Sequence, residues 1–92
     1  GGSIIFKTDG NYKQFSAIVG ADESIISDTA QGTLKVIGDG KVLHIVQNIS
    51  SNKAGTEIAV NIEGVMNLEI NMDSDRNGLL NMIIAQPSLL LN

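Results

Sequence analysis

The sequence has no cysteine and no tryptophan, one proline, one histidine and only three aromatic rings, Phe6, Tyr12 and Phe15. Without cysteine, disulfide frameworks, thiolate metal sites and thiol nucleophiles are excluded. The single histidine, His44, has no second imidazole to share a metal with. Set between Val42 and Val46 on one strand face, it reads as a partly buried, satisfied ring. Cations are scarce as well: six Lys and Arg stand against ten Asp and Glu, for a net charge of −4. No basic stripe exists to neutralise phosphates, which argues against nucleic acid and anionic membrane surfaces as partners. No apolar run approaches the roughly 20 residues of a membrane helix, so membrane insertion is not expected. The N-terminus lacks the basic-then-apolar pattern of a signal peptide. Catalytic constellations are missing too. No nucleophile-elbow motif is present, and no aromatic subsites frame a cleft for a carboxylate pair. The chain reads as a non-enzyme.

What the sequence does contain is strand and turn. Apolar residues make up 42% and charged residues 17% of 92 positions, enough for one packed core and one domain over residues 3–92. Gly1 and Gly2 read as a linker or cloning remnant. The stretch Gly32 to Gln47 carries two β-branched runs around Gly38-Asp39-Gly40, which predicts a β-hairpin with at least one glycine at positive φ and Asp39 bonded to its own turn. Before it, Ser3–Lys7 and Tyr12–Gly20 alternate as strands, with Phe6 and Phe15 inward and Tyr12 on the opposite, half-exposed face. A loop over Ala21–Gln31 follows, expected to tuck Ile25 and Ile26 against the core. After the hairpin, Asn48–Gly55 is a small, polar loop. Thr56–Glu63 and Met66–Asp73 alternate cleanly, and Leu79–Ala85 is apolar on both faces until Gln86-Pro87 interrupts it. About seven short strands with no helical segment give an all-β, antiparallel sandwich.

Three blocks carry a resemblance. Asn11-Tyr12-Lys13-Gln14-Phe15-Ser16-Ala17-Ile18-Val19-Gly20-Ala21-Asp22-Glu23 is followed by the Val36-Ile37-Gly38-Asp39-Gly40-Lys41 hairpin and by Ile62-Glu63-Gly64-Val65-Met66-Asn67-Leu68. In this order they resemble the novel putative carbohydrate-binding module (NPCBM) family. That resemblance implies a galactose-binding-like jelly roll, an accessory module of secreted or cell-surface bacterial proteins, and glycan as a partner. The family usually closes on a segment similar to D-H-A-x-W-A-D-A-x-L, where this chain has Asn81-Met82-Ile83-Ile84-Ala85-Gln86-Pro87-Ser88-Leu89. With the ring replaced by aliphatics, weak glycan binding or a structural, adhesion or self-associating role is expected.

The candidate ligand residues are Asp22 and Glu23, after the second strand, and Asp73, Asp75, Arg76 and Asn77, before the last. Carboxylates and planar groups on end loops suit sugar hydroxyls, and turn chemistry explains the same residues without a ligand. Asp73-x-Asp75-x-Asn77-Gly78 has calcium-loop spacing but lacks the bidentate Glu that should follow. No cofactor is predicted, and a structural calcium held by distant loops cannot be read from spacing. The apolar run Leu79–Leu91 is expected to make the chain a homo-oligomer by supplying missing cover through the C-terminal strand.

Overall fold

A computed structural model describes residues 2–22, 30–75 and 81–92. Seven strands occupy them: β1 (Gly2–Lys7), β2 (Tyr12–Ala21), β3 (Gly32–Gly38), β4 (Lys41–Ile49), β5 (Thr56–Asn61), β6 (Asn67–Ser74) and β7 (Met82–Leu91). All neighbours pair antiparallel, in a four-stranded sheet ordered β1-β6-β3-β4 and a three-stranded sheet ordered β5-β2-β7. This is the all-β sandwich that the alternation predicts. The period of two sends Leu34 and Val36 of β3, Leu68 and Ile70 of β6, Phe15, Ala17 and Val19 of β2, and Ile58 and Val60 of β5 into one shared core. Ile62 and Val65, between β5 and β6, close it. The expected tuck of Ile25 and Ile26 lies outside the described residues, as do Leu79 and Leu80.

The β3–β4 hairpin turns on two residues rather than three. Gly38 pairs with Lys41, while Asp39 (φ 49°) and Gly40 (φ 82°) both take left-handed backbone, as a type I′ turn requires. Gly38 is small for another reason: a Cβ there would lie 2.7 Å from Leu43 Cδ1 and 2.9 Å from Val65 Cγ2. Asp39 does not bond its own turn. Its carboxylate accepts from the N–H groups of Met66 (3.1 Å to Oδ2) and Asn67 (2.8 Å to Oδ1), stapling the hairpin tip to the start of β6. The Asp39 N–H completes the staple by donating to Asn67 O at 3.0 Å. Met66, expected inside the last alternating strand, precedes it and is exposed.

Several face assignments change, because β1, β4, β5 and β7 are sheet edges and because two ladders carry register shifts. Phe15 is 4% exposed, but Phe6, on edge strand β1, is 42% exposed. His44 is exposed, because a register shift between Val36 and Ile37 bulges β4 at Leu43 and turns that leucine toward the core instead. Tyr12 packs against the core cluster rather than facing away from it, since another irregularity separates it from Gln14. The C-terminal strand runs straight through the expected break. Gln86 (φ 50°) and Pro87 form a bulge opposite Ala17 of β2, where a missing proline N–H is tolerated. The strand is therefore covered on one side by its own chain: it pairs with β2, and Met82, Ile84 and Leu89 pack on the core.

Candidate functional site

The antiparallel order sorts the connections onto two ends of the sandwich. At one end Thr8 Oγ1 donates to Val65 O (2.6 Å), Gly10 N–H donates to the same carbonyl (2.9 Å), and Ile62 N–H donates to Lys13 O (3.1 Å). Together with the Asp39 staple, these bonds commit the polar groups of that end to holding strands in register. The other end carries the connections after β2, β4 and β6, and among the residues singled out from sequence it holds Asp22, Asp73 and Asp75.

Asp22 leaves β2 there, and its N–H donates to Asn81 O at 2.9 Å, just before β7. Asp73 lies on β6 opposite Thr33 of β3. Asp75 follows β6 and bonds reciprocally with Gln31: Gln31 N–H donates to Asp75 Oδ1 (2.9 Å) and Asp75 N–H donates to Gln31 O (3.0 Å). The fold thus brings Asp22 from one sheet and Asp73 and Asp75 from the other to the same end. The Asp75 carboxylate is already bonded to the backbone that closes β3 onto β6, so turn chemistry accounts for it. Glu23, Arg76 and Asn77 lie outside the described residues, as does half of the calcium-like spacing. Among the described residues no group of three or more His, Asp or Glu side chains is placed to hold a metal ion.

Sequence reading passed over a pocket at the same end of the sandwich. A cavity of about 280 Å³ opens at this end between β2, the end of β4 and the connection to β5, lined among others by Gln47, Asn48, Ser50, Lys53 and Thr56. Two glycines make the close approach behind it. A Cβ on Gly55 would meet Ile18 Cγ2 at 2.8 Å, and one on Gly20 would lie 3.4 Å from Gly55 Cα. Asn48 sits at φ 60°, a left-handed position that Asn accepts more readily than other side-chain-bearing residues. Ser50 is buried and its Oγ donates to Asn52 Oδ1 at 2.6 Å, and Lys53 N–H closes the turn on Ser50 O. The wall is polar, with amides, hydroxyls and one lysine, which is the chemistry that meets sugar hydroxyls. The only sequence signal was a short run of small polar residues, Asn48–Gly55, and such runs serve any loop.

None of the three aromatic rings reaches this end. Tyr12 begins β2 at the stapled end, and Phe6 and Phe15 line an apolar cleft of about 250 Å³ with Leu68, Pro87 and Leu89 on the side of the sandwich. A shallow groove of about 420 Å³ crosses the outer face of the three-stranded sheet past Ser16, Glu57 and Gln86.

No curated protein matches the sequence. The fold is similar to solved carbohydrate-binding modules of Clostridium perfringens. One is the structure of the CBM51-2 and INT domains of ZmpB (TM-score 0.81, 17% identity, 97% of this chain and 20% of that chain). A second is CBM51-2 with INT domains in complex with GlcNAc (TM-score 0.77, 18% identity, 97% of this chain and 20% of that one). A third is CBM51 from GH95 in complex with methyl-galactose (TM-score 0.79, 16% identity, 95% of this chain and 63% of that one). The chain spans about a fifth of the length of the ZmpB structures it matches. Likeness at this identity identifies the galactose-binding-like fold, and the sequence identifies the family: the NPCBM/NEW2 domain model matches residues 1–82, so the chain belongs to the NPCBM/NEW2 domain family.

Proposed function

We propose that this chain is a non-catalytic accessory module that binds glycan weakly at the loop end of the sandwich, in a larger protein exported from a bacterial cell. Membership of a carbohydrate-binding module family supplies the class of ligand. The observation that supports the placement is the polar cavity walled by Gln47, Asn48, Ser50, Lys53 and Thr56, at the same end of the sandwich as Asp22 and Asp73. The reading is weak binding because no described ring lies there to stack on a sugar face. That contact is worth about 0.5–1.5 kcal/mol, and hydrogen bonds alone compete with water. A monosaccharide then binds in roughly the millimolar range.

The test is a titration of the isotope-labelled chain with methyl-galactose and with GlcNAc, the sugars held by the similar modules. Amide shifts should concentrate on residues 47–56, and Asn48→Ala should raise the dissociation constant severalfold. Micromolar affinity, or shifts confined to the groove past Glu57 and Gln86, would overturn this placement and strength. The absence of a ring at the loop end also favours a second reading, a structural or adhesion spacer that keeps the fold and lacks the sugar site. No shift with either sugar at tens of millimolar would favour it.

A further inference from the structure

The sandwich is four strands over three, and the mismatch falls on one side. Edge strand β4 lies against β5 and β2 across the core, so the spare strand of the larger sheet is β1, at the opposite edge, overhanging β7. Its register pairs Ile4 with Ile70 and Phe6 with Leu68, both fully buried, so Ile4 and Phe6 face inward. Their cover is incomplete: Ile4 and Phe6 are 43% and 42% exposed, and Phe6 lines an open apolar cleft with Phe15, Leu68 and Leu89. On the outer face of the same strand, Ile5 is 66% exposed. Among the described residues the outer edge of β1 is unpaired, and the strand contains no proline or bulge and bears one charge, Lys7. β7, by contrast, is interrupted at mid-length by Gln86 and Pro87, the devices that blunt an edge.

We infer that β1 pairs with β1 of a second copy of this chain, antiparallel about a two-fold axis at Ile5, joining the two four-stranded sheets into one of eight. This register is self-complementary. It sets Ile4 against Phe6 of the second copy and Phe6 against its Ile4, an aliphatic–aromatic cross-strand pair on the inner face, made twice. On the outer face Ile5 meets Ile5, and Lys7 of each copy meets Ser3 of the other. Ser3 Oγ donates to Glu69 Oε2 at 3.0 Å, which draws the Glu69 carboxylate toward β1, so Lys7 of the second copy arrives where a negative charge waits. The occupant is therefore another copy, and this strand rather than the C-terminal one is the seam. A six-residue edge buries on the order of 700 Å² in total, the size of a transient association, with a dissociation constant of roughly 10 µM to 1 mM. The inference stands apart from the glycan reading, since the seam and the loop-end cavity share no residue.

Sedimentation of the whole chain from about 10 µM to 1 mM tests it. Mass should rise with concentration from the monomer's 9.7 kDa toward twice that. Ile5→Lys, which sets two cations face to face at the axis, should hold the monomer mass throughout without changing the melt. Lys7→Glu should weaken association at least fivefold, and Lys7→Glu combined with Glu69→Lys should restore it. A wild-type chain monomeric at 1 mM would overturn the inference. So would association that survives Ile5→Lys, or that is lost on Leu90→Lys instead, which would move the seam to β7.

Discussion

Asp39 shows how much one side chain at a turn can carry. It holds left-handed backbone, and its carboxylate takes the N–H groups of Met66 and Asn67 across 27 and 28 residues of sequence. Hydrogen bonds to a charged acceptor contribute about 1.5–3 kcal/mol where shielded and less at an exposed tip. Asp39 is exposed, so Asp39→Ala should cost about 0.5–1.5 kcal/mol, read as a lowered urea midpoint with an unchanged slope. Gly40→Val should cost more than about 1 kcal/mol through left-handed strain, and Gly38→Val about 1–3 kcal/mol through overpacking against Leu43 and Val65. Equal melts for wild type and both glycine variants would contradict this account of the turn. His44→Ala, on an exposed ring, should stay within about 0.5 kcal/mol. The GDG turn was legible because its residues suit few other conformations. The staple was not, because nothing local in Asp39 points to a partner at Met66. The sequence showed that Phe6 alternates with Ile5, but not that its strand overhangs.

At the scale of elements, alternation located β2, β3, β5 and β6 well, since each has one face on the core and one in water. β7 was harder. Its apolar residues occupy both faces, and Pro87 looks like a stop until the bulge opposite Ala17 removes the need for its N–H. Gln86 sits at φ 50°, where a side chain costs about 1–2 kcal/mol and glycine nothing steric, against about 0.5–1 kcal/mol of extra chain entropy for glycine. Gln86→Gly should therefore stabilise the fold by up to about 1 kcal/mol in equilibrium denaturation, and a destabilisation would show that the Gln86 side chain holds the bulge. The loop-end cavity escaped sequence reading for an element-level reason. Its wall comes from two connected strands, a third strand and the turn between two of them, and only the sheet order brings these together.

For the whole molecule, the sequence predicted an all-β fold of about seven strands, while the split into four and three strands emerged only from pairings as distant as Gly2 with Met72. Long-range pairing of this kind folds in roughly milliseconds to seconds. β7 belongs to the cooperative unit, because it covers one edge of β2 and adds Met82, Ile84 and Leu89 to the core. A chain ended after Asn81 should lose its sharp thermal transition in circular dichroism, and a retained two-state melt would show β7 to be an appendage. The same pairing fixes where the two described ends of the chain stand. Gly2 lies opposite Met72 at the loop end, whereas Asn92 is tied at the other end, its N–H donating to Asn11 O and its Nδ2 to Gly10 O. Tension drawn between them runs lengthwise along a body 41 Å long, loading the β1–β6 and β7–β2 ladders in shear. Hydrogen bonds set across the pull must then yield together rather than open one after another as in unzipping. Force applied between Gly2 and Asn92 therefore meets both ladders lengthwise, and the sandwich resists extension as one unit.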